Sequence, residues 1–137
     1  NIGQTLLLVK DIMITGSKLP IVNESKNIYE ATKVIDNKKL GLVVVMERNH
    51  VKGILTDGDA RRGIKYYSKN DHLKKFMTPN PLFVSEFMPA SKALSLMNEK
   101  KITSLLVASE KDYSKAKSKK KLKGIVHIHS LLQYGIK

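Results

Sequence analysis

The segment Gly53-Ile54-Leu55-Thr56-Asp57-Gly58-Asp59 places a hydroxyl and a carboxylate three residues apart, where an apolar run ends and a helical pattern starts. The Thr56 hydroxyl is suited to donate to a phosphate oxygen, and the free N–H groups of a helix start near Asp59–Arg61 add an end that favours anions. Ionised Asp59 only accepts hydrogen bonds, so it suits a ribose diol better than a phosphate. Gly58 lets the turn bring backbone close to a ligand. Arg61 and Arg62 have the planar fork that grips a phosphate or a sugar carboxylate at two points. The same spacing equally describes a helix cap, with Thr56 and Asp59 closing on each other, and one pair can do both jobs. Asp57 and Asp59 form a close pair of acids, but no other group of a catalytic constellation accompanies them, and acids are at home in the first turn of a helix. No catalytic role is assigned to them.

A second cluster is His127-Ile128-His129. If the strand continues that far, alternation puts both imidazoles on one face. A metal would need a third ligand, and His50 and His72 lie in other segments, so no metal site is expected. One imidazole reaching a bound ligand as a hydrogen-bond donor, its charge set by pH, is the more useful reading. A histidine facing solvent at a strand end is the alternative.

These residues are positioned by a repeat. The run 30–45 answers 92–107 at a constant offset of 62, with Ala, Lys-Lys and the final Val coinciding. Upstream, Asp11-Ile12-Met13 answers Lys75-Phe76-Met77 at 64, and downstream Gly53-Ile54-Leu55 answers Gly124-Ile125-Val126 at 71. The second copy is therefore longer by nine residues, within a stretch of Lys, Ser and Ala that reads as a solvated surface loop at 109–121. Each copy opens with an apolar-Met pair and a Gly or Pro turn, followed by a short apolar piece at Leu19–Val22 or Leu82–Val84. A helix comes next. Asn27 and Glu30 have capping-box spacing, with Ile28, Ala31, Val34 and Ile35 as the buried stripe. In the second copy Ser91 is the expected cap and Ala93, Leu94 and Met97 face inward. Two apolar strands follow, at Leu42–Met46 and Val51–Thr56, and again at Leu105–Ala108 and Leu122–His129. A short helix closes each copy, at Asp59–Lys65 and Ser130–Tyr134. The expected fold is α/β (α+β), two β-α-β-β-α repeats packed as a pseudo-twofold pair, because ~60 residues bury little alone. The organisation is a connector at 1–8, a first repeat at 9–67, a linker at 68–73 and a second repeat at 74–134.

Composition narrows the function. The chain has 137 residues, 42% of them hydrophobic and 27% charged, which is globular composition. It has no cysteine, so disulfides, thiolate metal sites and cysteine nucleophiles are excluded. No apolar run reaches the ~18 residues of a membrane span. The absent cysteine is compatible with a cytoplasmic location. The net charge of +13 comes from lysine, with only Arg48, Arg61 and Arg62 as arginines. Seven lysines crowd into Lys111–Lys123. Aromatics are 6%, so the arginine, amide and stacking groups of a base reader are scarce and nucleic acid is not the expected partner. A start at Asn1 suggests an excised fragment.

The repeat resembles the CBS (cystathionine β-synthase) domain, and two in tandem look like a CBS pair, or Bateman module. Gly53, Thr56 and Asp59 match that family's Gly-x-x-Thr-x-x-Asp signature for binding nucleotides. The runs Leu6–Met13, Thr56–Arg62, Ile102-Thr103-Ser104 and His127–Leu132 look more closely like the C-terminal CBS pair of bacterial arabinose 5-phosphate isomerases. The resemblance implies a regulatory fragment without catalytic residues, following a sugar isomerase (SIS) domain that interconverts ribulose 5-phosphate and arabinose 5-phosphate for Kdo, a lipopolysaccharide sugar. It implies a nucleotide or sugar-nucleotide effector between the repeats. CMP-Kdo is the candidate, adenine nucleotides being the wider CBS default, and no cofactor is required. It also implies homodimers of CBS pairs, for which Ile64, Leu131, Leu132 and Tyr134 are candidate contacts; a structural module without ligand, or an adenine-nucleotide sensor of another enzyme, is the alternative. The second copy departs from the signature, with His127 at the Thr position and Ser130 at the Asp position, so the carboxylate contact to a ribose is lost there.

Overall fold

Leu42–Val45 are four successive buried residues, a pattern that suits a strand covered on both faces. The computed structural model, which describes residues 6–66, 71–116 and 119–137, builds a sheet around this run. Strand β1 (Ile21–Asn23) lies parallel to β2 (Leu42–Glu47), and β2 lies antiparallel to β3 (His50–Thr56) through a two-residue turn. Arg48 and Asn49 hold that turn with φ of 50° and 67°, as a tight hairpin with right-handed twist requires. A fourth strand, β4 (Thr78–Pro79), pairs with Gly53 and Ile54 of β3. Helix α2 (Ile28–Lys38) begins with the expected reciprocal cap. The Glu30 N–H donates to Asn27 Oδ1 at 3.0 Å, and the Asn27 N–H donates to Glu30 Oε1 at 3.5 Å. Its Ile28, Ala31 and Ile35 join Val43, Val45, Leu55, Ala60 and Leu73 in one core, with Val34 packed at the edge. Helix α3 (Asp57–Tyr66) starts where β3 ends.

The second copy repeats the plan with a three-stranded sheet. Strand β5 (Phe83–Ser85) is parallel to β6 (Ser104–Ala108), which is antiparallel to β7 (Gly124–His127). The registers are equivalent: Asn23 faces Met46 as Ser85 faces Ala108. Helix α4 (Ala90–Lys100) buries Ala93, Leu94 and Met97 as expected, but it starts one residue before Ser91. Pro89 holds the cap position, and the orphan N–H of Ala90 donates to the Leu7 carbonyl at 2.9 Å. A side-chain cap is unnecessary where another chain segment supplies the acceptor.

The compact units do not coincide with the sequence repeats. One comprises residues 20–81 and the other 6–19 with 82–137, apart from the residues around 117–119. The opening of each repeat is built into the unit of the other. Ile14 bridges Ile125, and the short helix α1 (Val9–Ile12) packs Val9 and Ile12 into a core with Val84, Leu94, Met97, Leu105, Val126 and Leu131. In the first unit Met77-Thr78-Pro79 do the equivalent work on β3. The two matching glycines mark these crossings. A Cβ on Gly53 would stand 2.7 Å from the Thr78 carbonyl oxygen and 2.8 Å from Met77 Sδ. One on Gly124 would stand 2.8 Å from the Ile14 oxygen and 2.7 Å from Met13 Sδ.

The described residues of the lysine-rich stretch are mostly exposed, as a surface loop requires, but they include one turn of helix. Ser109 caps a one-turn helix, α5 (Glu110–Tyr113), by accepting the Asp112 N–H at 3.2 Å. Lys120 is buried, with its ammonium 4.8 Å from the Tyr113 ring centre and 5.5 Å from that of Phe83. Residues 117 and 118 of this stretch lie outside the described residues, as do 1–5 of the connector and 67–70, where the first repeat ends and the linker begins. Among the described residues no helix is long and apolar enough to cross a membrane.

Candidate functional site

Thr56 is the last residue of β3 and the cap of α3. Its Oγ1 accepts the Asp59 N–H at 3.2 Å, and Asp59 Oδ2 accepts the Thr56 N–H at 3.1 Å. This is a capping box with aspartate at the third helical position. Because the Thr56 oxygen is used as an acceptor, its hydroxyl proton is left to donate. Arg62 pairs with Asp59 Oδ1 at 2.5 Å and Arg61 with Asp57 Oδ2 at 2.6 Å, both along the helix surface. The arginine side chains are 68% and 78% exposed, so these pairs contribute little and are free to reorganise around an anion. The cap and first two turns therefore gather Thr56, Asp57, Asp59, Arg61 and Arg62 at one helix end. Gly58 lies within the first turn with ordinary room for a Cβ, 3.5 Å from Arg62 Nη1, so the backbone there does not demand glycine.

The second copy builds its equivalent end differently. Strand β7 stops at His127 and helix α6 (Ile128–Gln133) begins at once, so His127 and His129 do not share a strand face. His127 replaces threonine as the cap, its Nδ1 accepting the His129 N–H at 3.1 Å. The bond fixes a neutral imidazole whose proton sits on Nε2, available to donate outward. The two rings meet edge to face with centres 4.7 Å apart. Burial, then the neighbouring His129, push the His127 pKa down. Opposite His127 in the sheet register stands Ser104, whose buried hydroxyl finds no partner among the described residues. No group of three metal-ligating side chains occurs among the described residues. Of the candidate contacts, Leu131 is fully buried in its own core, Ile64 packs at the edge of the first core, and Leu132 and Tyr134 are 54% and 49% exposed.

Sequence reasoning passed over two further polar clusters. In the second copy Glu86 is buried, accepting from the Lys123 ammonium at 2.6 Å and from the Glu110 N–H at 2.9 Å. The Lys123 bond, then that N–H, hold the Glu86 pKa below its ordinary value. In the first copy Glu24 stands beside Glu47, and a proton shared between the two carboxyls raises the pKa of Glu24 and lowers that of Glu47. The available signal was the repeat itself, since Glu86 answers Glu24 at the same offset of 62.

A family model of the CBS domain matches residues 9–66 and again 73–137. The chain is 36% identical to arabinose 5-phosphate isomerase KdsD of Yersinia pestis over 141 residues, covering 98% of this chain and 40% of that protein. It thus spans about two fifths of the length of such curated relatives. Among solved structures, CBSX2 in complex with AMP superposes with a TM-score of 0.75 at 23% identity, covering 93% of this chain and 95% of that one. The CBS domain of the bacterial CNNM/CorC family Mg2+ transporter in complex with ATP gives 0.75 at 17%, covering 97% and 89%. The duplicated fold, the Gly53–Thr56–Asp59 signature and a family match over nearly the whole described length make this chain a member of the CBS domain family, carrying two CBS repeats in tandem.

Proposed function

We propose that this CBS pair is the regulatory module of an arabinose 5-phosphate isomerase of the Kdo pathway, and that it binds a nucleotide or sugar nucleotide, CMP-Kdo being the candidate, between its repeats. The observation that carries the reading is the reciprocal Thr56–Asp59 cap at the exposed start of α3, in a fold shared with CBS structures that hold AMP and ATP. A phosphate accepts from the Thr56 hydroxyl and the helix-start N–H groups, with Arg61 or Arg62 swinging onto it. A ribose diol donates to Asp59. In the second repeat His127 Nε2–H replaces the threonine donor. The chain itself does no chemistry; the isomerase reaction belongs to an SIS domain in the full cytoplasmic protein. Regulation requires only that the effector favour one arrangement of the whole enzyme over another.

Calorimetric titration of the chain with CMP-Kdo, CMP, AMP and ATP tests this. The expected result is saturable heat with a sugar nucleotide or nucleotide, lost in Asp59→Ala. No heat from any of the four at about 1 mM rejects the reading. The exposed Leu132 and Tyr134 favour a homodimer of CBS pairs in the parent enzyme, which a sedimentation measurement on Leu132→Glu examines.

A further inference from the structure

The hairpin end of the first sheet, remote in the strands from Thr56, holds a cavity of about 640 Å³. Its polar walls are Asn23 at the end of β1 with Glu24 and Ser25 after it, Glu47 and Lys52 on the hairpin, and His72 and Lys74. All of them belong to the first unit. The second repeat shows what the same place looks like when filled. There Glu86, the counterpart of Glu24, is closed over by the inserted stretch. Lys123 brings an ammonium to one carboxylate oxygen, and the start of α5 brings the Glu110 N–H to the other. Lys10, the counterpart of Lys74 at the offset of 64, adds positive charge nearby.

The first repeat has only the Arg48-Asn49 turn where the second has its insertion, and among the described residues no counterpart of α5 closes over Glu24. Lys52, the counterpart of Lys123, is also displaced. The ladder steps from Val45↔Gly53 to Met46↔Val51, leaving Lys52 as the extra residue of a β-bulge, a device that re-aims a side chain. Its ammonium lies 3.9 Å from Glu47 rather than on Glu24. Glu24 is left facing another carboxylate, where its partner in the second repeat meets two donors. Two acids and two lysines thus line one open cavity in a chain of net charge +13. A purely cationic ligand meets the repulsion of the whole chain, and a purely anionic one meets Glu24 and Glu47. A molecule with both an ammonium and a carboxylate meets neither.

We propose that this cavity binds a small zwitterion of the α-amino acid class, its ammonium taking on Glu24 and Glu47 the place that Lys123 and the Glu110 N–H hold on Glu86, and its carboxylate held by Lys52 and Lys74. The site is separate from the nucleotide site and stands or falls without it. Amide NMR of the chain during titration with glycine, L-glutamate and L-lysine, with acetate and methylammonium as half-ligands, tests the proposal. The expected result is saturable shifts at Glu24, Glu47 and Lys52 with at least one amino acid, and binding at least about tenfold weaker for both half-ligands. Glu24→Gln weakens that binding by at least about tenfold, and so does Lys74→Met, an exposed change that leaves the core intact. The proposal is overturned by shifts that stay flat with all three amino acids to about 10 mM, by half-ligands that bind as well, or by affinity unchanged in Lys74→Met.

Discussion

At the residue scale, the two helix ends differ by one chemical choice, hydroxyl against imidazole at the cap. Replacing Thr56 with alanine removes the acceptor of the Asp59 N–H and should lower unfolding stability by about 1 kcal/mol in denaturant titration, with serine restoring it. The His127 cap adds a pH dependence that threonine does not. Its folded pKa lies below the ordinary value of 6.5, so in falling pH the unfolded chain takes up the proton first. Protonation also ends the Nδ1 acceptor role and sets a charge beside the positive end of α6. Stability should therefore decline as pH drops below about 6.5 and flatten once the folded form is protonated too. His127→Asn, which keeps a cap acceptor without titrating, should remove that step from the profile of melting temperature against pH. Glu86, held low by Lys123 and the Glu110 N–H, acts in the same direction but at lower pH, below the usual carboxylate value of 4.5. The two contributions thus separate along the pH axis.

At the scale of elements, the sequence was most legible where one physical signal decides the outcome. The apolar runs at Leu42–Val45 and Leu105–Ala108 read as strands because they are short, aliphatic and partly β-branched, too short for a core helix but right for a strand covered on both faces. Asn27 and Glu30 cap α2 because the whole cap is local. Local patterns mislead where a distant segment intervenes. Ser91 was passed over as a cap because Leu7 supplies the carbonyl, and no local pattern reveals an acceptor so remote in sequence. The expected His127–His129 strand face ended early because His127 itself starts a helix. The lysine-rich stretch carried a legible signal, Ser109 with Asp112 three residues on, that its charge obscured. The cavity at Glu24 was only half legible: the repeat offsets show the missing insertion and pair Glu24 with Glu86, but no local pattern shows the bulge at Lys52.

At the scale of the whole molecule, the offsets of the repeat hid an exchange. The apolar-Met pair that opens each copy was visible, but its partner was not: Met13 packs against Gly124 and Met77 against Gly53. Each matched glycine answers the methionine built into its own unit. A Cβ at either place collides with a backbone oxygen, which cannot rotate aside as a side chain does. Gly53→Ala and Gly124→Ala should each destabilise the chain by about 1–3 kcal/mol, read as a lower denaturation midpoint. Gly58→Ala, with ordinary room for the added carbon and a helical backbone, should be neutral or slightly stabilising in the same measurement.

This interleaving puts the segment that follows residue 6 in the unit of the second repeat, while the signature Thr56 and Asp59 lie in that of the first. The proposed regulation requires an effector that engages that signature. Amide hydrogen exchange of the chain with and without CMP-Kdo examines it directly. Slower exchange across Thr56–Arg62 is expected in the presence of the ligand, and no change in Asp59→Ala. Unaltered exchange at Thr56–Arg62 under ligand excess, or protection that survives Asp59→Ala, would contradict it.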